Sequence, residues 1–127
     1  MSAPPRLVDF DDWLAGVFER TGAFTMLIVL VEIGATSVDL AASSYLHVIG
    51  DATRWPDMTA LFAASGARWN GAAFFQADRA GLVDDATAGR RLAALGRHLA
   101  KDRSLLNEGA FFNAQGLRLK LEEIAKQ

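Results

Sequence analysis

Asp39, Ser43 and His47 follow one another at intervals of four residues. Four is nearly one helical turn and equals two strand repeats, so the three share a face under either geometry. Their types are those of a nucleophile, a general base and an orienting carboxylate. The order is wrong for a relay, because Asp39 would lie beyond the serine instead of beyond the histidine. Catalytic constellations also gather their members from separate elements. The three residues read more simply as a polar face carrying a hydrogen-bonded histidine. Glu32 directly follows an apolar run, and a carboxylate at the end of a buried strand can have its pKa raised for acid–base work. Strand ends are equally where carboxylates meet solvent or an arginine, which is the plainer reading of Glu32.

A recognition surface has a different set of residues. His47, Asp51, Arg54 and Trp55 cluster ahead of Pro56, and Trp and Arg are the types that dominate interaction hot spots. Trp69 and Asn70 open the strand after the following helix, and they complete the expected surface although they need not touch that loop. The plainer alternative is that tryptophan beside proline plugs the end of a small core.

Composition removes several chemistries. There is no cysteine and there are two histidines, so thiolate metal sites, disulfides and thiol catalysis are excluded and no metal or cofactor is expected. Arg90, Arg91, Arg97, His98 and Lys101 lie on the outer side of one amphipathic segment. Late in a helix such residues oppose the negative end of its dipole and need no ligand. They lack interleaved aromatics, no glycine-rich phosphate loop is present, and the formal net charge is −2, so nucleic-acid binding is not expected. The charge is lopsided, with three arginines against eight acids in residues 1–66 and ten basic against seven acidic residues after them. That asymmetry is too mild to name a partner. The first residues lack a basic stretch followed by an apolar one, and no apolar run reaches the roughly 20 residues of a membrane span. A soluble cytoplasmic protein is the expectation.

The elements that must position these residues are organised around AFTMLIVLV, residues 23–31, in which only Thr25 is polar. Burying its seven large side chains is worth roughly 10–20 kcal/mol, at about 1.5–3 kcal/mol each. That rivals the net stability of a whole domain. A β-branched, aliphatic run without alternation fits an inner strand covered on both faces.

Ahead of it, Asp9 reads as an N-cap, with Phe10, Trp13, Leu14, Val17 and Phe18 at helical spacing over 9–20. Residues 35–49 match helix and strand templates about equally. Alanine and serine favour a helix for the first half, with a short strand at 45–49. Pro56 starts a helix over 56–65. The aromatic run at 69–77 reads as a strand, with Gly71 a bulge or close-approach point. Ala88, Leu92, Leu95 and Leu99 give a helix over 84–101 a buried stripe. Alternation in Leu117, Leu119 and Leu121 after Asn113-Ala114-Gln115-Gly116 predicts a C-terminal hairpin over 106–121. GAAFFQADRAGL (71–82) echoes GAFFNAQGL (109–117), which supports a strand at both phenylalanine pairs.

The expected architecture is a single two-layer α+β domain over 1–127. It has a roughly four-stranded mixed sheet made of strands 23–33 and 69–77 and the hairpin, covered by the three helices. Residues 1–7 are expected to be a flexible leader. The function expected is non-enzymatic binding or assembly through an aromatic and arginine surface, as a homodimer or with another protein. The rival is a small hydrolase or isomerase using Glu32 or His47 as general acid or base.

Overall fold

The greasy nonamer is an inner strand, as its composition demands. In the computed structural model, which describes residues 8–50 and 52–120, β1 (Phe24–Ile33) is buried along its first eight residues. It pairs with β2 (Val38–Val48) on one side and β3 (Gly71–Gln76) on the other. Strand β4 (Ala110–Asn113) pairs with β3, giving the order β2-β1-β3-β4. Helices α1 (Asp9–Thr21), α2 (Trp55–Ser65) and α3 (Asp85–Lys101) and a 3-10 turn at Arg103–Glu108 complete the α+β domain. The expected leader at 1–7, Asp51 and the chain beyond 120 lie outside the described residues.

Four expectations are corrected. The sheet is antiparallel throughout, not mixed. The chain leaves β2, passes through α2 and re-enters on the far side of β1, so β3 runs with β2 and against β1.

The domain also has three layers instead of two. Even-numbered β1 residues Phe24, Met26, Ile28 and Leu30 pack with Phe10, Leu14, Trp55, Met58 and Phe62 of α1 and α2. Val29 and Val31 pack with Leu99 of α3 and Leu106 of the 3-10 turn. A strand that is apolar on both sides needs cover on both sides, and two layers cannot supply it.

Residues 38–48 are one continuous strand, with no helix in the first half. Pairing along the whole of β1 overrides the weak helix preference of alanine and serine. The register slips between Leu30, opposite Ala42, and Val31, opposite Leu40, leaving Ala41 as the extra residue of a bulge. Val38 and Leu40 therefore join the α3 side, while Ala42, Leu46 and Val48 join the α1–α2 side. The bulge breaks the alternation, which is why the strand template matched this stretch no better than the helix template.

Finally, the C-terminal hairpin is shorter than expected. Residues 103–108 form the 3-10 turn, capped by the Asp102 carboxylate, which accepts the Ser104 N–H at 3.0 Å. The return arm meets β4 through the Phe112–Arg118 bridge and two flanking bonds, Asn113 N–H to Leu117 O and Leu119 N–H to Phe111 O. The turn itself falls at Asn113–Gly116 as predicted, with Gly116 N–H bonded to Asn113 O at 2.9 Å.

The two phenylalanine pairs of the echo lie in adjacent strands, with Ala72 opposite Phe112 and Ala73 opposite Phe111. Gly71 is a close-approach point. A Cβ there would stand 3.0 Å from Val31 and 3.2 Å from the Phe111 ring. Among the described residues no helix is long and apolar enough to cross a membrane.

Candidate functional site

The aromatic residues expected to form a surface form the core instead. Trp55 is 5% exposed, its ring 5.1 Å from that of Phe10 and 6.0 Å from that of Phe62. Its indole N–H donates to Ala114 O at 3.0 Å, and its backbone N–H donates to the Asp11 carboxylate at 2.7 Å. Trp69 joins it, 6.1 Å from Trp55 and 5.0 Å from Phe62. Arg54 precedes α2, and its backbone N–H is accepted by the Asp57 carboxylate at 2.9 Å. Asn70 clasps the end of β1, donating to Ile33 O at 3.1 Å and accepting Ile33 N–H at 2.7 Å. Of the six expected residues, Trp55 and Trp69 therefore pack on the α1–α2 side of the core, with Arg54 and Asn70 next to them in the chain. Glu32 lies 3.7 Å from Arg68 in an exposed pair, a contact worth little in stability.

His47 sits on the opposite face of the sheet. Its Nδ1 is 2.8 Å from Thr25 Oγ1 and its Nε2 is 2.7 Å from Asp85 Oδ1. The bulge turns Asp39 to the other side of β2 from Ser43 and His47, so the evenly spaced trio never assembles. The histidine's partners come from β1 and from the first turn of α3. In the tautomer protonated at Nε2, the nitrogen that faces the carboxylate, Nδ1 accepts from the Thr25 hydroxyl. Thr25 Oγ1 also accepts the Val83 N–H at 3.0 Å. Tyr45, next on the same face, lies 5.6 Å from His47 ring to ring.

Electrostatics follow from these contacts. Hydrogen bonds from His47 first, then Tyr45, hold the Asp85 carboxyl below the ordinary carboxylate range. Burial, with the Asp85 charge and hydrogen bond behind it, raises the Tyr45 phenol above its ordinary 10.0.

Thr25, His47 and Asp85 line up like a nucleophile, base and orienter, yet the Thr25 side chain is fully buried and its oxygen is already bonded. The array works as a strut joining β1, β2 and the start of α3. Thr25 carried a signal as the one polar residue in the nonamer. Nothing in the sequence tied it to Asp85, 60 positions on.

Strand β2 is an edge of the sheet. Among the described residues no strand pairs there, whereas β4, at the other edge, is partly screened by the return arm. Apolar clefts flank β2 on both faces. One, of about 280 Å³, lies between β2 and α2, with Leu46, Leu61 and Phe62 in its walls. The other, of about 240 Å³, lies between β2 and α3, with Leu40, Leu92 and Leu99. Among the described residues, Ile49 and Leu61 are the most exposed large apolar side chains, at 66% and 53%. An open strand edge with apolar flanks can bind another strand through its main chain while burying side chains on both sides. No family model, no curated protein and no solved structure matches this chain.

Proposed function

We propose that this is a non-catalytic assembly protein that works as a homodimer, joining two copies edge to edge through β2. The observation that carries this reading is the unpaired edge of β2 between its two apolar clefts. A second copy is the occupant because one surface then serves both partners about a two-fold axis, the commonest solution for soluble oligomers. Residues 40–46, LAASSYL, carry no charge, so like edges meet without repulsion. They also carry neither lysine nor proline, two of the devices that guard open edges. Antiparallel union of two β2 strands gives one eight-stranded sheet, with the exposed Leu61 of each copy close to the seam. The expected surface thus moves from the buried tryptophans to the strand that the helix reading had hidden.

Catalysis at His47 has one observation in its favour, the Thr25–His47–Asp85 line. It is the weaker reading because both imidazole nitrogens are engaged and the hydroxyl is out of reach of a substrate.

Sedimentation equilibrium tests the dimer. The wild-type chain should sediment at twice the chain mass at micromolar concentration, and Ser44→Lys, at an exposed mid-edge position, should be monomeric with an unchanged circular dichroism spectrum. A wild-type monomer at all concentrations overturns the proposal, as does a dimer indifferent to Ser44→Lys. A mixed complex with a foreign strand in place of the self-dimer would count against it as well.

A further inference from the structure

Strand β3 outruns its neighbour. Its pairing with β4 ends at Phe74 and Ala110, and the chain before Ala110 turns away into the 3-10 segment. Beyond that point a cleft of about 360 Å³ opens, with Trp13, Gln76, Arg79, Glu108, Gly109 and Arg118 among its lining residues. It lies on the α1 side of the sheet, separate from the β2 edge.

Gln76 Nε2 is buried without a hydrogen-bond partner, a condition that costs free energy in a folded protein and asks for an explanation. Among the described residues, Arg79, Arg118 and Glu108 are in no ion pair. Yet their backbones are well fixed. Arg79 sits in a turn held by Ala80 N–H to Asp78 Oδ1 at 2.8 Å and Gly81 N–H to Asp78 O at 3.2 Å. Arg118 donates its backbone N–H to Asp9 Oδ2 at 2.7 Å, and its guanidinium lies 5.5 Å from the centre of the Phe112 ring. At Gly109 a Cβ would stand 2.6 Å from Phe74 O and 2.7 Å from the Phe75 ring, so the chain packs closely there.

We propose that this cleft binds a small zwitterion of the α-amino-acid class. Guanidinium forks and an amide N–H match a carboxylate. Glu108, in the same cleft, disfavours a dianion such as phosphate and offers a partner to an ammonium group. The formal charge of the three ionised groups is +1, which suits one carboxylate held more firmly than one amine. Trp13 supplies an aromatic wall for the ligand's apolar body, and the volume is at the lower end of small-molecule sites.

The test is an NMR titration of the full chain that follows the Trp13 indole and Gln76 side-chain amide signals. The probes are L-phenylalanine, L-leucine, 3-phenylpropionate, phenethylamine and inorganic phosphate. At least one amino acid should give saturable shifts at both signals, with 3-phenylpropionate and phenethylamine weaker. Arg79→Gln and Arg118→Gln should each weaken binding about tenfold or more, the loss of a charged hydrogen-bond partner. Glu108→Gln should weaken the amino acid while strengthening 3-phenylpropionate, a reversal that general destabilisation would not produce. All three side chains are on exposed residues, so the fold should survive, and amide signals away from the cleft check that. No saturation by either amino acid at concentrations on the order of 10 mM, an affinity too weak for a ligand site, overturns the proposal. So does tighter binding of phosphate, or binding indifferent to both arginine substitutions.

Discussion

The Asp11 carboxylate binds the starts of two helices together, one oxygen accepting the Trp55 N–H at 2.7 Å and the other the Val8 N–H at 3.3 Å. Asp11 is 5% exposed, and the N–H groups it satisfies are among those a helix N-terminus leaves without partners. Removing it strands the buried Trp55 N–H. Asp11→Ala should therefore lower stability by about 1–3 kcal/mol, the cost of an unsatisfied buried donor. Urea unfolding followed by tryptophan emission measures this, and an unchanged midpoint would refute it.

Gly116 closes the C-terminal turn with φ at +79°, and a Cβ there would stand 2.8 Å from the Trp55 ring and from Val8. Gly116→Ala should destabilise by more than about 1 kcal/mol, since the left-handed conformation and the contact both oppose it. Gly89 is the contrast. It lies within α3, with nothing within 4 Å of a built Cβ, so Gly89→Ala should stabilise by about 0.5–1 kcal/mol. Opposite signs in paired urea titrations are the expected result.

Thr25→Val keeps the volume of a fully buried side chain but deletes its hydroxyl. The Val83 N–H and His47 Nδ1 then both lose a partner, and a loss of about 1–3 kcal/mol follows. Thr25→Ser should retain most of the stability. If valine were tolerated as well as serine, the strut would carry no weight.

The chain's one tyrosine is Tyr45, so a near-ultraviolet absorbance titration reads it alone. Its phenol should ionise above the ordinary value of 10.0. Asp85→Asn should bring it only partway back, because burial is the larger cause. Stability carries the opposite sign at the acid end. A carboxyl with a depressed folded pKa contributes stability above its unfolded value of about 3.9, lost as pH falls through the folded one. The difference in melting temperature between wild type and Asp85→Asn should therefore narrow below about pH 4.

Periodicity in the chain was enough to mark α1, α2, α3, β1, the two phenylalanine strands and the turn at 113–116, because each is a local pattern of burial or a local turn chemistry. The need for cover on both faces of β1 was legible too, in a run that never alternates. Strand β2 was not, since its bulge at Ala41 redirects half its apolar residues to the other face, and only its alignment with β1 shows that. The tryptophans illustrate a related limit. Residue type made Trp55 and Trp69 equally fit for a surface or a core; packing against Phe10 and Phe62 made Trp55 core, and the half-buried Trp69 lies against Trp55 and Phe62. His47 drew attention for its spacing to Ser43 and Asp39, yet its partners lie 22 and 38 positions away. Contacts of that separation are created when strands and helices dock, so no spacing along the chain encodes them. The cleft beside Gln76 arises in the same way, from one strand extending past its neighbour.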